Sequence, residues 1–292
     1  MKLIYDYMRD KTLRHELNKL TNATFGFDFE SWVVEGYFEG DYIPYSLEED
    51  GEILANVSAN KMCFMQNGIQ KNYIQIGTVM TDKAHRMQGL AKRLIKYVLK
   101  EYEGKCDGIY LFGDLGALPF YRKMGFEEGL QYQYLLREDA PKGLKSKKAF
   151  QKVDGQNEQI KRKYMNAVRN SAINSAMEQM NKYGLWMFYT ANLSTVYYAE
   201  DINCYAVMEK RGDTIILQSI VSQTPISLKT VLEHIDLEYN RLKLGFTPCH
   251  EDEYLFEMVA FNGGDDYRFF YLGDELKSIE KEKLFFPLLS HA

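Results

Sequence analysis

Hydrophobic positions follow two rhythms that alternate along the chain. Short apolar runs, or runs with a period of two, read as strands; apolar residues recurring every three to four positions read as amphipathic helices. Residues 3–8 form a short strand on this basis, and residues 12–20, with Leu13, Leu17 and Leu20 on one face, form a helix. Residues 29–38 form a second helix. Residues 42–49 and 53–66 are strands split by the turn signal Glu49-Asp50-Gly51, and Asn67-Gly68 marks a hairpin turn ahead of a strand over 73–81. The clearest helix begins near Gly89: Leu90, Leu94, Ile95, Val98, Leu99 and Tyr102 share one face, Lys92, Arg93, Lys96 and Lys100 the other, and Gly104 ends it. A strand over 108–113, a short helix over 117–124 stopped at Gly125 and a strand over 131–137 follow.

The pattern breaks over 139–157, where Pro141, Gly143 and Gly155 stand among Lys142, Lys145, Lys147, Lys148 and Lys152. This stretch reads as a solvated linker. Beyond it, 158–183 reads as one long helix with Ile160, Tyr164, Val168, Ile173, Met177 and Met180 on its apolar face. Strands over 196–210 and 214–222 join at Arg211-Gly212-Asp213, and a helix over 228–235 has Pro225 just ahead of it. Residues 242–246, 254–261 and 268–272 read as strands, and the apolar tail 284–289 packs. The expected organisation is one domain over 1–138, a linker over 139–157 and a second α/β domain over 158–292.

One junction carries chemistry. Arg86-Met87-Gln88-Gly89-Leu90-Ala91 lies between an apolar strand and the start of the clearest helix. The first turn of a helix has backbone N–H groups without partners and a partial positive charge, so a pyrophosphate is satisfied there. Gly89 and Ala91 leave the backbone accessible to it.

Composition narrows the picture. With 292 residues, the chain is long enough for two domains of ordinary size, and 46% hydrophobic with 26% charged residues is a soluble balance. A formal net charge of −5 gives no bias towards nucleic acid, which is not the expected partner; the lysines of 139–157 read as a wet surface. Cys63, Cys106, Cys204 and Cys249 have no paired spacing and no metal-ligand pattern, so no metal is expected and the thiols read as those of a cytoplasmic protein. No apolar run reaches the length of a membrane span. Aromatic residues make up 14%, with 22 tyrosines whose hydroxyls need partners.

Two motifs at the right separation, on the right elements, resemble the GNAT superfamily of N-acetyltransferases over residues 1–138. The first is Arg86, Gly89 and Ala91 between strand and helix; the second is Phe120-Tyr121-Arg122-Lys123-Met124-Gly125-Phe126. The chain departs from the family at Lys83, where a proline is common, and at Asp114, where an asparagine is common. Asp114 keeps an acceptor and loses an amide donor. The resemblance implies a mixed, mostly antiparallel sheet flanked by helices, an α/β (α+β) class, and acetyl-CoA as co-substrate. It implies that the pyrophosphate sits on residues Arg86, Met87, Gln88, Gly89, Leu90 and Ala91, and that the pantetheine arm pairs with Val79, Met80 and Thr81 where a bulge splays the strand.

By the same resemblance, Asp114 helps orient the substrates, and Tyr121 is the general acid for the leaving thiolate. The acceptor is a small-molecule or peptide amine, which must be neutral to attack. Asp28, Glu30 and Glu35 are candidate bases, each also readable as a surface carboxylate, and His85 is a candidate phosphate contact or a plain loop histidine. The second half lacks both motifs, yet its strand–helix–strand order echoes the first. It reads as a degenerate copy of the same fold that serves packing, acceptor recognition or pairing. The alternative to an enzyme is a non-catalytic acyl-CoA sensor; the oligomeric state is left open.

Overall fold

The computed structural model describes residues 1–140 and 149–292. The first half runs β1 (Lys2–Tyr5), α1 (Lys11–Phe25), α2 (Glu30–Val34), β2 (Tyr42–Glu49), β3 (Glu52–Gln66), β4 (Ile69–Thr81), α3 (Leu90–Tyr102), β5 (Gly108–Asp114), α4 (Leu118–Lys123), β6 (Glu127–Gly129) and β7 (Gln131–Leu136). The second runs β8 (Gln151–Lys152), α5 (Glu158–Arg169), β9 (Met177–Gln179), α6 (Tyr183–Thr190), β10 (Val196–Ala199), β11 (Cys204–Arg211), β12 (Thr214–Ser222), α7 (Leu228–Glu233), β13 (Arg241–Leu244), β14 (Phe256–Phe261), β15 (Tyr267–Leu272) and α8 (Ser278–Lys281).

Local chemistry sets many of these bounds. The Asp10 carboxylate accepts hydrogen bonds from the backbone N–H groups of Thr12 (2.9 Å) and Leu13 (3.1 Å), and Gly26 at φ 78° closes the other end of α1. Asp50 and Gly51 (φ 52° and 89°) turn β2 into β3, and Asn67 and Gly68 (φ 45° and 81°) turn β3 into β4. Positive φ at both central residues matches the twist of paired strands, so both turns were legible.

The expected long helix over 158–183 is corrected. Helix α5 stops at Arg169, and the Asn and Ser residues that follow prefer local side-chain bonds to a helix interior: the Asn174 amide oxygen accepts from Ile226 N at 3.1 Å. Met177, read as a helix-face residue, is fully buried in β9, which pairs with β3. Helix α6 was not anticipated. The helix expected over 29–38 shrinks to α2, because Gly36 turns the chain at φ 79°. The strand expected over 196–210 breaks around Asn203 (φ 44°), and residues 250–255 form a 3₁₀ turn ahead of β14. Of the expected linker, residues 141–148 lie outside the described residues, while Lys152 pairs within β8.

The two sheets have the same plan. One runs β1-β2-β3-β4-β5-β15-β6, with β9 added along β3; the other, read in the same sense, runs β8-β10-β11-β12-β13-β7-β14. In each, a hairpin (β3–β4, β11–β12) leads through a helix into a parallel partner (β5, β13). The sixth place in each sheet is taken by a strand from the other half of the chain. β7 leaves the first half to pair with β13 and β14, and β15 crosses back to pair with β5 along Ile109–Asp114 and with β6. The sheets therefore do not divide the chain at one point.

A shared apolar core joins the halves. Leu17, Trp32 and Tyr37 pack in one cluster with Tyr164, Val168, Trp186 and Val207. A second cluster seats Leu90, Leu94, Ile95 and Val98 of α3 on the first sheet. Phe269 and Phe270 of β15 are 1% and 0% exposed, so removing that strand uncovers the centre of the first sheet. A fragment ending at residue 138 is expected to show no cooperative thermal transition by circular dichroism, and co-expression with 139–292 is expected to restore one; a sharp melt of the fragment alone would refute the interdependence.

Candidate active site

The site starts from a defect in the first sheet. β4 pairs in parallel with β5 only from Tyr73 to Ile76. Across β3, Ser58 faces Gly77 but Asn56 faces Met80, so Val57 meets two residues, Thr78 and Val79. This bulge bends β4 away from β5, which continues to Asp114 with β15 on its other edge.

Thr78 sits at φ 38°, a left-handed conformation that a β-branched residue rarely adopts. Such strain costs on the order of 1–3 kcal/mol and persists only where the surroundings over-determine it. Here they do. The Thr78 hydroxyl bonds Tyr42 Oη (2.8 Å), Ser58 Oγ (2.9 Å) and Asn56 Nδ2 (3.2 Å), and Asn56 Nδ2 also donates to Thr78 O at 3.0 Å. The network continues inward: Ser46 Oγ donates to Asn56 Oδ1 at 2.8 Å and bonds Tyr7 Oη at 2.5 Å. Burial pushes both the Tyr7 and Tyr42 phenols far up, so they stay protonated members of it.

The loop that follows is tied to the end of β4. Asp82 accepts from Ala84 N (2.9 Å) and pairs with His85 Nδ1 (3.0 Å), and Arg86 Nε donates to Thr81 O at 3.3 Å. Met87 (φ 63°) and Gly89 (φ 77°) are both left-handed, an alternation that turns successive N–H groups to one side. Gly89 is the N-cap of α3, no side chain caps it among the described residues, and nothing lies within 4 Å of where its Cβ would be. Glycine therefore serves the backbone angle and leaves open space before the helix N-terminus. Leu90 is buried against the sheet, and the Met87 side chain is fully exposed.

A cavity of about 390 Å³ opens from the gap. Gly77, Thr78, Val79, Asp114 and Tyr121 line one end. The sequence-read residues Val79, Asp114 and Tyr121 thus share one wall, whereas the Met80 side chain is buried in the core shared by the halves, leaving only its backbone for recognition. Tyr121 is 6% exposed, and its phenol is pushed up to about 12 by burial and then by the Asp114 charge. Gly113 seats its ring: a Cβ there would lie 2.7 Å from Tyr121 Cε2.

Asp28, Glu30 and Glu35 do not line this cavity. Asp28 accepts from Glu30 N at 2.9 Å, the Glu30 carboxylate is held by Arg14 at 2.9 Å, and Glu35 pairs with Lys161 at 3.2 Å. Residues the sequence did not single out do line it: Tyr42 and Asn60, the carboxylates Glu39 and Asp41, and Leu185, Phe188 and Tyr189 of α6. Only Gly77-Thr78 carried a signal, since a lone glycine in a strand pattern marks a bulge. The α6 residues come from the other half of the chain and had none.

Among the described residues the second sheet has no open equivalent. β12 pairs with β13 over Thr214–Leu217 and then diverges, but the gap is filled: Leu288 N donates to Gly245 O at 2.8 Å, and Gly245 is packed so closely that a Cβ would meet Gln218 Cα at 2.8 Å and Leu288 Cδ1 at 2.9 Å. At the start of α7 the buried Asp252 carboxylate accepts from Leu228 N at 2.9 Å. The helix start thus already holds a negative group from its own chain. Among the described residues no group of His, Cys, Asp and Glu is arranged to hold a metal ion, all four cysteines are free, and no helix is long and apolar enough to cross a membrane.

Comparison with known proteins agrees with this geometry. No curated protein matches the chain in sequence. Similar solved structures include a conserved protein of unknown function from Enterococcus faecalis V583 (18% identity, 95% of this chain and 73% of that one, TM-score 0.56). Eis1 from Mycobacterium abscessus is also similar (13% identity, 92% and 73%, TM-score 0.55), as is a GCN5-related N-acetyltransferase from Kribbella flavida (13%, 92% and 70%, TM-score 0.52). These likenesses span both halves and show the fold. The acetyltransferase (GNAT) family, whose acetyl donor is acetyl-CoA, matches residues 5–126, the stretch that holds the bulge, the loop before α3 and Tyr121. Residues 5–126 of this chain are accordingly a domain of the acetyltransferase (GNAT) family.

Proposed function

We propose that the chain transfers the acetyl group of acetyl-CoA to a primary amine by direct attack, at a single donor site in its first half. The observation that carries this reading is the conjunction of three features: an uncapped α3 N-terminus, a β4 edge released from β5 beyond Ile76, and a cavity lined by both of those strands and by Tyr121.

The residues fit the donor. The N–H groups over Arg86–Ala91 would receive its pyrophosphate, and the main chain of Val79, Met80 and Thr81 would pair with its amide-bearing arm as an added strand. The donor supplies an activated acetyl group with a thiolate as leaving group. The bulge at Thr78 would fix where that group lies, and Asp114 would help orient it. The amine forms the new C–N bond as the C–S bond breaks; nitrogen sheds one proton and sulfur takes one up. Tyr121, protonated throughout the neutral range, would donate to the leaving sulfur. A thiol titrates near ~8.5, so a phenol near 12 is the weaker acid: it steadies the leaving thiolate by a hydrogen bond, and the proton shed by nitrogen balances the one sulfur takes up. The second half would serve as wall and support, with no donor site of its own.

Four outcomes are expected. In calorimetry, Gly89→Asp should weaken acetyl-CoA binding by at least about ten-fold, by placing a charge before the helix start and straining φ; unchanged affinity would remove the donor site, and an intact donor site that releases no thiol with any amine would leave a sensor. Tyr121→Phe should lower kcat by about 10²-fold with little change in acetyl-CoA affinity. Because the Tyr121 pKa is raised to about 12, the wild-type rate should show no falling limb near pH 10; a limb there that vanishes in Tyr121→Phe would contradict the buried, protonated phenol. Thr78→Val leaves Tyr42, Ser58 and Asn56 short of a partner and should cost about 2 kcal/mol in chemical denaturation; a neutral effect would dismiss the hub.

A further inference from the structure

The acceptor end of the cavity is built from both halves of the chain, and its two sides differ. One side is a continuous wall of rings. Phe27 meets Phe29 (centroids 5.5 Å) and Phe188 (5.5 Å), and Trp32 meets Phe188 at 5.8 Å, with Tyr189 next along α6. The position of α6 is fixed by Trp32 Nε1, which donates to Gly184 O at 2.6 Å, and by the absence of a side chain at Gly184, where a Cβ would sit 3.2 Å from Tyr37 O.

The other side is polar. Glu39 is paired with Arg169 at 2.7 Å. Asp41 lines the cavity with Lys61; burial pushes its carboxyl up, opposed by a hydrogen bond from Asn181. A polycation or a polyhydroxylated amine would have to give up hydration against the rings.

Resting on the acetyl-transfer reading, we infer that the acceptor is an arylalkyl amine: one reacting amino group on an apolar body the size of an aromatic ring, seated against Phe27, Phe29, Trp32 and Phe188. A space of about 390 Å³ suits a ligand of that size, and apolar burial against rings is the strongest attraction the wall can offer. Phe188, from the half that has no donor site, then sets acceptor choice for the half that has one.

Binding can be read without turnover, because the chain has two tryptophans and only Trp32 lines the cavity. Full-length protein is titrated with phenethylamine, glucosamine and spermidine without acetyl donor, following tryptophan emission, with Trp32→Phe as the signal control. Phenethylamine is expected to bind at least about ten-fold more tightly than either hydrophilic amine. Phe188→Ala should weaken phenethylamine about ten-fold and leave glucosamine unchanged, and Phe188→Leu, which keeps the bulk, should show a smaller loss if the alanine variant melts too early to assay. Equal or tighter binding of glucosamine or spermidine, or no response to phenethylamine, overturns the inference. Thiol release with acetyl-CoA separates the two readings. Phenethylamine that binds but is never acetylated sinks acetyl transfer and leaves the pocket assignment standing; glucosamine turned over while phenethylamine is ignored sinks the pocket assignment and leaves acetyl transfer standing.

Discussion

The pairing of β15 with β5 underlies the rest of this molecule. A strand that loses its neighbour exposes a row of backbone donors and acceptors. β5 loses β4 beyond Leu111, yet it runs on to Asp114 because β15 holds its other edge through that stretch. The opening between β4 and β5 can therefore persist without unravelling the sheet. The strand that makes it possible lies more than a hundred residues further along the chain, and the first half reciprocates by sending β7 into the second sheet.

That exchange also explains how far the sequence could be read. Asp50-Gly51 and Asn67-Gly68 declared their turns because the required positive φ values leave few residue choices. The face of α3 was legible because helix burial has a simple period, and its start because Gly89 takes a left-handed φ of 77°. Sheet partnership has no comparable code. Gln131–Leu136 and Tyr267–Leu272 read correctly as strands, but nothing in either segment states which sheet it joins. The same limit hid part of the cavity wall: Phe188 and Tyr189 sit in a short helix that is apolar all round, where periodicity has no contrast to report. The stretch over 170–183 misled for a related reason. Ile173, Met177 and Met180 have helical spacing by coincidence, and the Asn and Ser residues between them, which favour local bonds, decided against the helix.

The Thr78 hub shows how a polar network and a strained residue depend on each other. Left alone, a threonine at φ 38° would relax, and the bulge with it. Left without Thr78, the buried groups of Tyr42, Ser58 and Asn56 would lack a common partner. Each removes the other's cost, so the distortion is stable although neither component favours it by itself. The hub also connects the bulge to β2 and β3 on one side, through Ser46 and Tyr7, and to the cavity on the other, through Tyr42 and Thr78.

The second half retains the plan of the fold and fills each feature that makes the first half open. Where α3 presents a bare N-terminus behind Gly89, α7 presents one already bonded to Asp252. Where β4 and β5 part around a cavity that His291 and Ala292 help to line, β12 and β13 part around Leu288 and a tightly packed Gly245. A helix start and a strand gap are both unsatisfied by construction, so each must be satisfied from the chain itself or carry the penalty of being left open. The carboxylate at α7 supplies the negative charge that a phosphate would bring, and Leu288 bonds the Gly245 carbonyl that an added strand would otherwise reach. What places the rings of α6 over a cavity of the other sheet is contact with the first half: Trp32 Nε1 donates to Gly184 O at 2.6 Å, and the missing side chain at Gly184 lets the helix approach Tyr37.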